Sequence, residues 1–85
     1  MLDKDFIEKL DQRVQQNRRK WNEYGNIDEL KGFKEWALIL GEQTGKLQHA
    51  CFGPEILELQ ERIFKTAAVL YEIYCLHKKK FEDVW

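Results

Sequence analysis

Apolar and polar positions alternate along this chain with the period of α-helices, and they divide it into three segments. In the first, Phe6, Ile7, Leu10, Val14 and Trp21 recur at spacings of three, four and seven, which predicts a helix from Asp3 to Trp21 with one narrow apolar stripe. It ends in the polar and basic run Asn17-Arg18-Arg19-Lys20, and cations suit a helix C-terminus because the last carbonyls carry partial negative charge. Asn22-Glu23-Tyr24-Gly25-Asn26 breaks the period and reads as a turn. Ile27 to Gly32 reads either as loop or as one helical turn capped by Gly32.

The second segment, Phe33 to Cys51, places Phe33, Trp36, Leu40, Thr44, Leu47 and Cys51 within roughly 40° of one line, the expected core stripe. Phe52-Gly53-Pro54 then stops the helix, glycine suiting a left-handed cap and proline the first position of the next helix. The third helix is expected from Pro54 to Lys80. Its central line is Ile56, Leu59, Ile63, Ala67, Leu70 and Tyr74, with Phe64, Tyr71, Ile73 and Leu76 on the flanks. Apolar residues spread this widely around one helix need more cover than two short partners supply, and a homodimer or homotetramer would provide it. Phe81, Val84 and Trp85 are placed to fold back or to reach a neighbour.

Length bounds the domain count: 85 residues make one domain, spanning 1–85, with a thin core. A composition 44% hydrophobic and 34% charged, with a single proline, excludes a disordered tail or a proline-rich linker. The 14 basic and 15 acidic residues nearly cancel, so no global field attracts nucleic acid or an anionic membrane. No apolar run is long enough for a membrane span, and the start lacks an apolar signal core. A cytoplasmic setting is expected, with Cys51 and Cys75 as reduced, buried thiols.

Candidate chemistry sits on the second and third helices. Glu35, Glu42, Lys46 and His49 share the face opposite the expected core stripe, and Glu42–Lys46, Glu58–Arg62 and Glu61–Lys65 each have the favourable i,i+4 orientation of a helix ion pair. By helix arithmetic these are solvated charged faces. His49 and His77 lack a second ligand at zinc spacing, the cysteines lack a catalytic histidine setting, and there is no phosphate-binding glycine loop. The basic runs Arg18-Arg19-Lys20 and His77-Lys78-Lys79-Lys80 are read as helix-end solvation rather than as a nucleic-acid patch.

Lys20-Trp21, then Trp36-Ala37-Leu38-Ile39-Leu40-Gly41-Glu42-Gln43-Thr44-Gly45-Lys46-Leu47, then Ala67-Ala68-Val69, resembles the small MazG-like nucleotide pyrophosphohydrolases over Lys20 to Ile73. The tightest correspondence is Ile39-Leu40-x-Glu42-x-x-Gly45-x-Leu47. The resemblance implies an all-α fold of three main helices in an antiparallel helical bundle, MazG-like and completed by oligomerisation. It also implies carboxylates on facing helices that hold Mg²⁺ against the substrate phosphates and help activate a water. Carried over, the first acid is Glu42, the second falls on Gln43, the third on Lys46, and the last two on Arg62 and Lys65.

Magnesium requires hard oxygen ligands, and three cations at one site oppose a divalent ion. The expectation is therefore a degenerate site with no cofactor, in a protein that is not an enzyme. Its partners would be further copies of itself, with a nucleotide or a protein as further candidates. One form of this expectation pairs Glu42 with Arg62 or Lys65 across the bundle and Lys46 with Glu58 or Glu61. In another, Lys46, Arg62 and Lys65 bind phosphate directly. The alternative is an active Mg²⁺-dependent NTP/dNTP pyrophosphohydrolase, its third helix slipped so that Glu58 and Glu61, with Glu55 before them, face Glu42.

Overall fold

A computed structural model describes residues 1–23, 32–53 and 55–81, the side chains of 21–23, 55 and 56 excepted. The described residues form helix α1 (Lys4–Glu23), helix α2 (Phe33–Phe52), a 3₁₀ turn (Glu55–Glu58) and helix α3 (Leu59–Phe81), with no strand among them. The fold is all-α, a helical bundle. The expected turn at Tyr24–Asn26, the stretch from Ile27 to Lys31, and Pro54, Val84 and Trp85 lie outside the described residues, as do the side chains of Trp21, Glu55 and Ile56.

Local chemistry sets the helix ends. The Phe6 backbone N–H donates to Asp3 Oδ1 at 3.0 Å, the N-cap of α1, which runs to Glu23, two residues beyond the expected Trp21. Gly32 is the N-cap of α2, and its backbone N–H donates to Glu35 Oε2 at 2.9 Å, the return half of a capping box. At the other end the Gly53 N–H donates to the His49 carbonyl at 2.9 Å. Gly53 has φ −102° and ψ −175°, so the chain leaves α2 extended and not through the left-handed cap that glycine suggested. The residues after Pro54 make a 3₁₀ turn, and α3 proper begins at Leu59.

Helix α3 is the central element. It packs most extensively against α2 and less against α1. Along the α2 interface, the Lys80 ammonium sits 5.4 Å from the centre of the Phe33 ring. The Thr66 hydroxyl donates to the Gln43 carbonyl at 3.4 Å and to that of Arg62 at 2.9 Å, and Ala50 and Glu58 line one groove at the far end. Along the α1 interface the rings of Phe6 and Phe64 lie 5.2 Å apart. Among the described residues the buried apolar set is small: Val14, Trp36, Ala50, Phe64, Ala68 and Val69.

This core departs from the expected stripes on each helix, and on α1 the expected member Ile7 is exposed. On α2 the sheltered positions are Trp36, Ile39, Leu40, Gln43, Leu47 and Ala50, a line rotated toward Gln43, and the expected members Phe33, Thr44 and Cys51 are exposed. Thr44 turns its hydroxyl back onto the carbonyls of Leu40 and Gly41 instead. Cys51 is thus an exposed free thiol, whereas Cys75 is half-buried. On α3 the packed face is Phe64, Thr66, Ala68, Val69 and Glu72, while Ile63, Leu70 and Tyr74 of the expected central line, and Tyr71 beside it, remain exposed. Among the described residues no helix is long and apolar enough to cross a membrane.

Candidate functional site

The segment that carried the sequence resemblance lines an open groove of about 560 Å³ between α2 and the start of α3. Its walls are Gly41, Glu42, Gly45, Lys46 and His49 from α2, and Glu58 and Arg62 from the other side. Helical spacing puts the α2 residues on one flank at i, i+1, i+4, i+5 and i+8, and the two glycines keep that flank low, with open space where a Cβ would stand.

Each charge in the groove is held by a neighbour one turn away. Lys46 Nζ lies 3.1 Å from Glu42 Oε1, and Arg62 Nη2 lies 3.8 Å from Glu58 Oε2. Beyond the groove, Lys65 Nζ lies 3.6 Å from Glu61 Oε1. The three i,i+4 pairs foreseen from spacing all form. The cross-bundle pairing of Glu42 with Arg62 or Lys65, and of Lys46 with Glu58 or Glu61, is replaced by them, because a partner four residues away is already within reach of each long side chain. His49 stands at the groove wall.

The candidate residues do not all meet. Lys46 and Arg62 share the groove, and Lys65 is not among its walls. Glu42 and Glu58 share it as well, but Glu61 lines a separate polar recess of about 220 Å³ toward α1, with Lys9, Gln12, Arg13 and Gln16. There Arg13 Nη2 reaches the same Glu61 oxygen at 3.4 Å. Glu42, Glu58 and Glu61 therefore do not converge, and among the described residues no group of three or more His, Cys, Asp or Glu side chains is arranged to hold a metal ion. Gln43 turns inward, and its side-chain oxygen Oε1 is buried without a hydrogen-bond partner among the protein groups. If the resemblance assigned the metal positions, a neutral amide oxygen, one paired carboxylate and cations at the rest would not fit magnesium, which requires several oxygen ligands in near-octahedral order.

Sequence reasoning missed a polar cluster on the α1–α3 interface. Arg18 Nε donates to Glu72 Oε2 at 3.0 Å and Arg18 Nη2 to Glu72 Oε1 at 2.9 Å, a two-point pair on a buried carboxylate. Arg18 is therefore not an element of helix-end solvation. Its guanidinium also lies 5.8 Å from the centre of the Tyr71 ring and 4.0 Å from Cys75 Sγ. The hydrogen bond to Glu72 holds the Arg18 guanidinium protonated above its usual range. Tyr71 is also pushed above the ordinary tyrosine value, first by its neighbour Cys75 and then by burial, with Arg18 opposing. The one signal in the sequence was an acid, Glu72, amid the apolar run of the third helix.

No family model, curated protein or solved structure matches the chain.

Proposed function

We propose that this chain is a divergent MazG-like helical protein of the cytoplasm, with its helices in an antiparallel bundle, that has exchanged metal-dependent catalysis for binding. It acts as a homo-oligomeric interaction module, dimer or tetramer. The observation that supports this reading is the series of ion pairs in and beside the groove. Where the resemblance places metal-binding acids, Lys46 is paired with Glu42, Arg62 with Glu58 and Lys65 with Glu61. Among the described residues no cluster of acids is arranged to hold a metal ion beside a water and lower its pKa, which supports the non-catalytic reading.

The test is pyrophosphate release from a panel of NTPs and dNTPs with Mg²⁺ or Mn²⁺, repeated with EDTA. No metal-dependent turnover is expected. Turnover that EDTA removes and Glu42→Gln abolishes would overturn the reading in favour of an active Mg²⁺-dependent pyrophosphohydrolase built on Glu42, Glu58 and Glu61.

One observation favours a second reading, direct phosphate binding without metal: Lys46 and Arg62 line the same open groove. Both are held by carboxylates there, so a phosphate must displace Glu42 and Glu58 to reach them. Calorimetric titration with ATP in EDTA tests it. Binding that Arg62→Ala removes supports it, and no heat at millimolar ATP ends it.

A further inference from the structure

The described apolar surface that the bundle leaves open includes one continuous stripe, apart from Leu38, Phe52 and Leu57, which stand more exposed elsewhere. On α3, Ile63, Ala67, Leu70, Tyr74 and Phe81 follow one another at helical spacing, and Leu70 and Tyr74 are 52% and 59% exposed. The Tyr71 ring, 6.5 Å from that of Tyr74, carries this surface toward α1. There a mainly apolar groove of about 350 Å³ opens between the helices, walled by Ile7, Leu10, Val14 and Tyr71 and edged by the acids Glu8 and Asp11. The far end of the α3 face is basic: Lys78 lies one turn beyond Tyr74 and two beyond Tyr71.

We infer that the α1–α3 face is the interface with a second copy of this chain, α3 of each copy lying in the apolar groove between α1 and α3 of the other. The inference rests on the oligomeric reading above, and names its face and its symmetry. A second copy is the occupant because the face is complementary to itself. It carries an apolar groove with an acidic edge and an apolar ridge with a basic end, and a two-fold axis brings each onto its counterpart. Glu8 and Asp11 of one copy then meet Lys78 of the other, and opposite charges at a rim set orientation.

Sedimentation velocity of the full chain across a concentration series, with circular dichroism on each variant, tests this. The wild type is expected to be a dimer at micromolar concentration. Leu70→Glu and Tyr74→Glu each place a charge in the buried face and should weaken the dimer on the order of 100-fold with helicity kept, both positions being exposed in the protomer. Leu38→Glu and Phe52→Glu, exposed on the outer side of α2, should leave it intact. Lys78→Glu should weaken association at low salt, and adding Glu8→Lys and Asp11→Lys should restore it. This charge swap decides the matter if an α3 variant loses helicity. A dimer that survives both α3 substitutions overturns the inference and leaves the oligomeric reading standing, whereas a wild-type monomer at every concentration overturns both. Pyrophosphate release tests the non-catalytic part of that reading separately.

Discussion

Arg18 and Glu72, 54 residues apart in the chain, close the interface between α1 and α3 with two parallel hydrogen bonds of 3.0 and 2.9 Å. The Glu72 side chain is only 5% exposed, so its charge is stabilised by Arg18 and not by water. The fork of a guanidinium matches both carboxylate oxygens at once, which a lysine cannot do.

Arg18→Ala should therefore cost about 3 kcal/mol, because it leaves a buried carboxylate unpaired. Arg18→Lys should recover only part of that. The double variant Arg18→Met/Glu72→Leu should lie within about 1 kcal/mol of wild type, since exchanging both partners for apolar groups removes the desolvation cost with the pair. Urea denaturation of the four proteins decides the question. Equal losses in the single and double variants would show that the pair does not act as a unit.

Alkaline pH should loosen the same interface. The Tyr71 hydroxyl keeps its proton above the ordinary value of 10.0. A folded state that holds a proton more tightly than the unfolded chain is favoured below the unfolded pKa and loses that advantage as pH rises through the folded one. Stability should thus fall as pH rises above about 10, and Tyr71→Phe should flatten the fall. Thermal melts of both proteins between about pH 9 and 11 check the sign.

The ion pair at the groove should be of little structural consequence. Lys46 and Glu42 are 48% and 63% exposed, and an exposed i,i+4 pair contributes about 0.3–0.5 kcal/mol. Lys46→Ala should cost no more than that, and less in high salt. A loss several times larger in urea denaturation would show that Lys46 holds the two helices together.

Gly41 and Gly45 lie in the middle of α2, with nothing packed within 4 Å of the place a Cβ would take. Alanine at either position should stabilise the protein by about 0.5–1 kcal/mol, since glycine has more backbone freedom to lose in a helix. The melting temperature reads this directly. Destabilisation would mean that something in the assembled protein approaches the α2 backbone at these glycines.

Several features were settled by residues close together in the chain. The Phe52-Gly53-Pro54 break ends α2 where expected, and Glu42–Lys46, Glu58–Arg62 and Glu61–Lys65 pair as their spacing dictates. The periods of three and four around Phe6, Leu10 and Val14 yielded α1. These are local matters: backbone sterics and one turn of helix decide them, whatever the rest of the molecule does.

Which face of a helix packs is another kind of question, and the tertiary structure alone answered it. Helix α3 is apolar around most of its circumference, so its pattern does not single out one buried side. The buried side became the one where Glu72 finds Arg18, Thr66 reaches the Gln43 carbonyl and Phe64 meets Phe6, leaving Leu70 and Tyr74 outside. The rotation of α2 that turns Gln43 in and Thr44 out follows from the same packing. A buried acid is tolerated only beside its cation, and that cation lies on another helix. Pairing across 54 residues leaves no trace in a periodicity of 3.6, so the sequence determined the helices and only their packing decided what each one buries.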